Sequence, residues 1–217
     1  ISPLGAAVIS EMNRFGIMVD VSHGSDETFY DAIELSKAPI IATHSNARAV
    51  TDHPRNMSDD MLRLIAKNGG VVQLTMLSDY LRDAPKNSER DEALESLRAS
   101  LKPANEMTVD ERKAARDQLN EIRAMHPDPL ATVQNAVDHI DHIVSITGID
   151  HVGIGCDFDG GGGIEGIFDV SEVPSITIEL VRRGYSEQDI GKIWSGNLLR
   201  VFAEVQTVAE SIQSQVL

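Results

Sequence analysis

The stretches MVDVSH (residues 18–23) and PIIATHSN (residues 39–46) share one pattern: each is an apolar run that leads into a histidine. Short apolar runs with β-branched residues are typical of parallel strands that are covered on both faces. The carboxyl ends of parallel strands meet at one edge of a sheet, where functional residues collect. We therefore expect His23 and His44 to lie close together at that edge.

The alternation of strand and helix patterns predicts an α/β fold. Apolar runs at 17–21, 40–43, 71–75 and 151–156 predict four strands, and each run is followed by a helical pattern. Such units build either a doubly wound sheet or a (β/α)8 barrel. The segment 83–130 interrupts the pattern, since it is rich in Glu, Arg, Lys and Ala and has little apolar periodicity. We interpret it as an insertion of two or three exposed helices, peripheral to the core.

The composition limits which classes of partner and which covalent links the chain can have. With 19 Lys and Arg against 34 Asp and Glu, the formal net charge of −15 argues against a nucleic-acid partner, although not against a metal cation. The single cysteine, Cys156, excludes an internal disulfide. Because the chain opens on Ile1 rather than Met, we expect that it does not begin where its gene begins. The location stays open between periplasm, membrane surface and cytoplasm.

Three side chains at strand ends suggest a metal site. His23, His44 and Asp157 each lie within a residue or two of a predicted carboxyl end. Two imidazoles and a carboxylate from neighbouring strands suit Zn²⁺ or a similar divalent ion. The alternative is that each histidine caps a helix or satisfies a buried carbonyl group. The repetition of the pattern at two strand ends favours the metal site.

The stretch GIGCDFDGGGG (153–163) adds two carboxylates beside a run of glycines. Glycines allow a backbone to approach a ligand closely or to adopt a positive φ. If the strand continues through the motif, Asp157 and Asp159 point to the same side, one as a general base and the other in a supporting role. The alternative is a pair of solvated turn aspartates.

A third candidate lies in THSNARAVTDHPRN (43–56), which carries Arg48 and Arg55. An arginine near a metal is suited to hold a substrate carboxylate through two hydrogen bonds. The alternative is a surface arginine that pairs with Asp52 or Asp59.

Four motifs together resemble the membrane dipeptidase family, also called renal dipeptidases, which are zinc-dependent peptidases of the amidohydrolase type. The motifs are GIMVDVSHGS, APIIATHSNARAVTDHPRNMSDD, VDHIDHIVSITGIDHVGIGCDFDG and IGKIWSGNLLRVF. Their order and spacing agree with the family over nearly the whole chain, apart from 83–130. The resemblance implies a (β/α)8 barrel that binds two zinc ions.

The resemblance also implies roles for particular residues. His23 and His44 match the two histidines that ligate the second zinc. Arg55 matches the arginine that binds the terminal carboxylate of the substrate. Asp157 matches the acid that contacts the substrate and transfers the proton, and Asp159 would support the loop.

The chain departs from the family at its beginning. The His-x-Asp motif of the first zinc, the Glu that bridges the metals and a further substrate-contacting His have no counterpart here. Residues 1–217 therefore resemble the carboxyl-terminal half of one barrel, whose amino-terminal half would come from the same precursor or from another chain. A half-barrel exposes two sheet edges. We expect this chain alone to be unstable and inactive; a homodimer is also compatible with the sequence.

The function that follows is hydrolysis of dipeptides that carry a free C-terminal carboxylate, through a metal-bridging hydroxide. One alternative is a metal-dependent amidohydrolase acting on cyclic amides or lactones, which would need no arginine to bind a carboxylate. The other is a degenerate, non-catalytic binding protein that has lost the first metal site.

Overall fold

The computed structural model describes residues 1–83, 87–127 and 129–215. The chain divides into two compact units. The main unit comprises Ile1–Asp83 and Ala131–Leu217, and the small unit comprises Ala84–Leu130.

A parallel three-stranded sheet forms the centre of the main unit, in the order β1 (Ile41–Ala42), β2 (Val71–Thr75), β3 (Val152–Cys156). Residue 41 pairs with residue 71, and residue 72 pairs with residue 152. Every residue of β2 is buried, including the polar Gln73 and Thr75, because the strand has a neighbour on each side. The parallel α/β class expected from the sequence is therefore confirmed.

The strand predicted at 17–21 is wrong in extent. Only Asp20 forms a bridge, to Ile41, and two backbone hydrogen bonds of 2.9 Å join this segment to that residue. Pairing does not continue beyond Asp20 because the backbone N–H of Thr43 donates to the Asp20 carboxylate at 3.1 Å. A side chain thus takes the hydrogen bond that would have extended the strand.

Helices of the main unit pack against the sheet, and local caps set several of their ends. Ser25 and Ser58 accept hydrogen bonds from backbone N–H groups three residues later, and Gly16 and Gly69 end two helices in the left-handed conformation. Among the described residues, we find no helix with the length and apolar character that a bilayer crossing requires. In chain order the helices are α1 (Pro3–Phe15), α2 (Asp26–Leu35), α3 (Asp59–Asn68), α4 (Ser78–Leu81), α5 (Ser88–Ser100), α6 (Val109–Met125), α7 (Val133–Thr147), α8 (Pro174–Arg182), α9 (Glu187–Gly191) and α10 (Asn197–Ser214).

The small unit contains α5 and α6, which pack against each other. Neither helix contributes a buried residue. A capping box between Thr108 and Glu111 starts α6. Residues 84–86 and 128 of the segment that the sequence assigns to an insertion lie outside the described residues.

The core histidine His139 ties α7 to two neighbouring segments. It is fully buried, its Nδ1 accepts from the backbone N–H of Ala47 at 3.1 Å, and its Nε2 lies 3.1 Å from the carbonyl oxygen of Leu81. Since Nδ1 accepts, Nε2 carries the proton and donates to Leu81. Burial lowers the pKa of His139 to about 4.

We expect His139 to make the fold sensitive to acid. Its pKa in the folded state lies below the unfolded value of about 6.5, so the unfolded chain binds the proton first as pH falls. The stability it contributes is complete above about pH 6.5 and lost between about pH 6.5 and 4, a total of about 3 kcal/mol. Denaturant titrations from pH 7 to pH 4 should show a smaller decrease in the free energy of unfolding for His139→Gln than for the wild type. Equal declines in both proteins would contradict this account.

Candidate active site at the carboxyl ends of the strands

His23 lies in a tight turn directly after the segment that bridges to β1. The backbone N–H of Gly24 donates to the carbonyl oxygen of Val21 at 2.9 Å and closes the turn. His23 itself has a φ of 74°, in the left-handed region that residues other than glycine rarely adopt. The turn leaves the imidazole exposed at the edge of the sheet.

His44 follows β1 by two residues, and its ring is partly buried. The ring centroids of His23 and His44 are 4.8 Å apart, with an interplanar angle of 59°. The two predicted ligands are thus neighbours, as the parallel arrangement of their segments requires. Their role as ligands stays a prediction.

The charges around His23 belong to other candidate residues. Partial desolvation lowers the pKa of His23, and the positive charges of Arg55 and His44 lower it further. The carboxylates of Asp157 and Asp20 act in the opposite direction. A lowered pKa keeps the imidazole neutral near physiological pH, and the neutral form is the one that binds a metal ion.

A β-bulge directs the end of β3. Gly155 is an extra residue relative to β2, and a Cβ atom at this position would collide with the carbonyl oxygen of Thr43. Immediately after the bulge, Cys156 and Asp157 have φ values of 45° and 70°. Burial raises the pKa of the Cys156 thiol to about 11, so this residue is poorly suited to be a nucleophile or a thiolate ligand.

The premise that Asp157 and Asp159 share one side of a continuing strand is wrong. β3 ends at Cys156, and a glycine turn follows, in which the N–H groups of Gly160 and Gly162 donate to the carbonyl oxygen of Asp157 at 3.2 and 2.7 Å. Asp157 is partly buried, whereas Asp159 is exposed. The turn thus gives the two carboxylates different surroundings.

Unfavourable backbone conformations are concentrated at these strand ends. Within the described part of the chain, the residues other than glycine with positive φ are His23, Cys156 and Asp157. Each such conformation costs on the order of 1–3 kcal/mol and persists where the surrounding structure enforces it, commonly at functional sites. Local sequence carries no signal for this feature.

Arg55 lies on the loop between β1 and α3 with part of its guanidinium unsatisfied. Its Nη1 donates to the hydroxyl of Tyr80 at 3.4 Å, and the Tyr80 ring stacks on His53 with centroids 4.2 Å apart. Its Nη2 is buried and has no hydrogen-bond partner among the described residues. Such a group is costly unless an anion or a polar ligand binds it. Our sequence reading missed Tyr80, which carries no motif.

Arg48, the other arginine of this segment, uses its guanidinium for hydrogen bonds within the fold. It donates to both carboxylate oxygens of Asp26 at 2.7 and 2.8 Å, and to the carbonyl oxygen of Asn56 at 2.8 Å. Asp59, one of the predicted ion-pair partners, lies 2.7 Å from His142 instead. Of the two arginines in this segment, Arg55 is therefore the one with a buried guanidinium nitrogen that has no partner among the described residues.

The metal-binding groups form a partial site. We find no cluster of three or more His, Cys, Asp or Glu side chains, within the described part of the chain, that could hold a metal ion. His23 and His44 provide two adjacent imidazoles, which suit a borderline-soft divalent ion. The remaining ligands of such an ion would have to come from outside these residues.

Comparison with known sequences places the chain among peptidases. A family model described as membrane dipeptidase (peptidase family M19) matches residues 1–216. Dipeptidase 3 of Rattus norvegicus is 35% identical over 99% of this chain and 35% of its own length. An uncharacterised dipeptidase of Schizosaccharomyces pombe is 33% identical over 100% of this chain and 42% of its own. The chain thus spans less than half the length of these relatives.

Solved structures share the fold. The probable dipeptidase PvdM from Pseudomonas aeruginosa aligns with a TM-score of 0.87 and 37% identity over 96% of this chain and 55% of that one. A metallo peptidase from Rhodobacter sphaeroides, liganded with a phosphinate mimic of the dipeptide L-Ala-D-Ala, aligns with a TM-score of 0.70 and 29% identity over 94% and 47%. Since the family model matches nearly every residue, and the fold matches as well, this chain belongs to the membrane dipeptidase family, peptidase family M19.

Proposed function

We propose that this chain is the carboxyl-terminal half of the (β/α)8 catalytic barrel of a zinc-dependent dipeptidase. The observation that carries the proposal is the convergence at one sheet edge of two adjacent imidazoles, a carboxylate and a guanidinium whose buried Nη2 has no hydrogen-bond partner among the described residues. The matched structures are about twice as long as this chain, which leaves room for the other half of a barrel.

Arg55 would bind the free carboxylate of the substrate. Its buried Nη2 has no partner among the described residues, and a carboxylate can accept from two guanidinium nitrogens at once. The hydroxyl of Tyr80, 3.4 Å from Nη1, lies beside the same position. Because this clamp requires a terminal carboxylate close to the scissile bond, it limits substrates to short peptides. It also favours a dipeptidase over an enzyme acting on cyclic amides or lactones.

Asp157 would transfer the proton. Its carboxylate takes a proton from the attacking water and delivers it to the nitrogen of the leaving amine. His23 and His44 would hold one of two zinc ions, and the amino-terminal half would supply the other ligands. When bound, the zinc ions would supply Lewis acidity at the carbonyl oxygen and lower the pKa of the attacking water. Asp159 would support the loop without touching the substrate.

The rest of the chain has a structural part in this proposal. The small unit, Ala84–Leu130, would be a peripheral insertion, since neither of its helices contributes a buried residue. The outer edges of β3 and of the segment around Asp20 would pair with strands of the amino-terminal half, in the same precursor or in another chain. Without that half, we expect the chain to be unstable and inactive. The complete protein could also form a homodimer.

The proposal is tested by comparing a dipeptide with its C-terminal amide as substrates of the complete protein. The wild type should prefer the acid, and Arg55→Ala should lose most of that preference. A charge-assisted hydrogen bond contributes about 1.5–3 kcal/mol, so the change in kcat/KM should be roughly ten- to a hundredfold. The matched control is Arg63→Ala, an exposed arginine on α3, which should retain the preference. Equal rates on acid and amide in the wild type would refute the dipeptidase assignment.

A further inference from the structure

The Asp20 carboxylate organises the residues around His44. Its Oδ1 accepts from the backbone N–H groups of Ser22 and Thr43 at 3.0 and 3.1 Å. Its Oδ2 accepts from the Thr43 hydroxyl at 2.6 Å. The same hydroxyl oxygen lies 2.8 Å from Nδ1 of His44. The three side chains thus form a continuous chain of hydrogen bonds, which we name the Asp20–Thr43–His44 relay.

The number of available protons determines which group donates each hydrogen bond of the relay. An ionised carboxylate only accepts hydrogen bonds, so the single hydroxyl proton of Thr43 must point to Asp20. Towards His44, the hydroxyl oxygen can then only accept. The proton of the neutral His44 imidazole therefore lies on Nδ1, and the lone pair is on Nε2.

The backbone at His44 is held by the same group of residues. Its N–H donates to the Ser22 hydroxyl at 3.0 Å, and that hydroxyl lies 3.3 Å from the hydroxyl of Ser45. The ring is therefore oriented from two sides, through its backbone and through Nδ1. In metal-binding histidines, the hydrogen bond that the non-ligating ring nitrogen donates commonly sets the tautomer and the orientation of the ring.

We propose that Asp20 and Thr43 are positioning residues that fix the Nδ1–H tautomer of His44, so that Nε2 is presented to the metal ion. The inference rests on the proposed function only in naming zinc as that ion. It also explains why a carboxylate lies within the apolar run MVDVSH.

The strongest test of direction is Asp20→Asn. Two backbone N–H groups converge on the position of Oδ1, so the amide oxygen must occupy that position and the NH₂ group must replace Oδ2. The Thr43 hydroxyl would then accept from the amide and donate to Nδ1 of His44. The variant should reverse the tautomer and place a proton on Nε2, where the metal would bind.

Two substitutions at Thr43 form a matched pair. Thr43→Val keeps the shape of the side chain and removes the hydroxyl, so the preference for Nδ1–H should be lost. Thr43→Ser keeps the hydroxyl and loses only a methyl group, so the tautomer should be preserved. If Thr43 had only a structural role, Thr43→Val and Thr43→Ser would not differ in the tautomer of His44.

The experiment measures the tautomer and the zinc affinity separately in the complete protein. Nitrogen-15 NMR of the metal-free protein, labelled on histidine, reports which ring nitrogen of His44 carries the proton, and a His44→Asn variant assigns the signals. Titration with Zn²⁺ against a competing chromophoric chelator gives the affinity. Wild type and Thr43→Ser should show Nδ1–H and similar affinities. Asp20→Asn and Thr43→Val should bind zinc about ten- to a hundredfold more weakly.

The outcomes separate the relay from the proposed function. An Nε2–H tautomer in the wild type, or zinc affinity unchanged in both Asp20→Asn and Thr43→Val, would overturn the relay while zinc binding still supported the dipeptidase assignment. Absence of zinc binding by the wild type would overturn both. Reversal of the tautomer in Asp20→Asn together with weakened zinc binding would establish the relay.

Discussion

Asp157→Asn is expected to lower kcat of the complete protein by about two to four orders of magnitude, the usual share of general acid–base catalysis. The amide keeps the shape of the side chain but cannot take a proton from water. Asn tolerates the left-handed backbone as well as Asp does, so the φ of 70° at this position should not destabilise the variant. We expect its unfolding midpoint and its zinc content to remain near those of the wild type.

Asp159→Asn is the matched control, because it makes the same chemical change two residues later. Asp159 is exposed in the glycine turn, so its substitution should affect loop order more than turnover. Steady-state kcat and zinc content of both variants provide the measurement. A nearly normal Asp157→Asn beside an inactive Asp159→Asn would mean that the roles of the two aspartates are reversed. Normal turnover in both would remove the loop from the mechanism.

Gly160→Ala is expected to reduce kcat by about a hundredfold with little loss of stability, the typical effect of displacing a catalytic group by about 1 Å. A Cβ atom on Gly160 would lie 2.7 Å from Cγ and Oδ2 of Asp157, and closer still to Oδ1. The carboxylate is the mobile end of a side chain, so it can rotate away at small energetic cost. The substitution therefore moves the proton-transferring group and leaves the fold intact.

Gly161→Ala should show the opposite pattern. A Cβ atom there meets nothing within 4 Å, but the φ of 101° is unfavourable for alanine. This variant should lose on the order of 1 kcal/mol or more of folding stability and retain kcat. The comparison requires kcat and the free energy of unfolding for both variants. Full turnover in Gly160→Ala would show that this glycine does not position Asp157.

Much of the fold could be predicted from the sequence because local rules define its elements. Serine caps such as Ser25 and Ser58, and the glycine stops at Gly16 and Gly69, set helix ends through hydrogen bonds within a few residues. Short β-branched runs indicate parallel strands. The proximity of His23 and His44 followed from parallel topology, which brings equivalent ends of neighbouring segments together.

The details of the candidate site depended on contacts between distant parts of the chain. Asp26 pairs with Arg48 rather than with Arg55, so Arg55 is the one of these two arginines whose Nη2 has no partner within the described part of the chain. Pairing with β1 stops at Asp20 because the Asp20 carboxylate accepts the hydrogen bond of the Thr43 backbone N–H. No local pattern encodes either choice.

The sequence by itself determined the parallel α/β class, the positions of most helices and the pairing of two histidines at strand ends, because periodicity, caps and strand direction act over short distances. Only the tertiary structure decided the bulge at Gly155, the left-handed backbone at Asp157 and the direction of the hydrogen bonds from Asp20 to His44. Each of these arises where segments far apart in the chain meet. At Gly155, the carbonyl oxygen of Thr43 leaves no room for a side chain. Between Asp20 and His44, the Asp20 carboxylate accepts hydrogen bonds from two segments of the chain and so orients their donors.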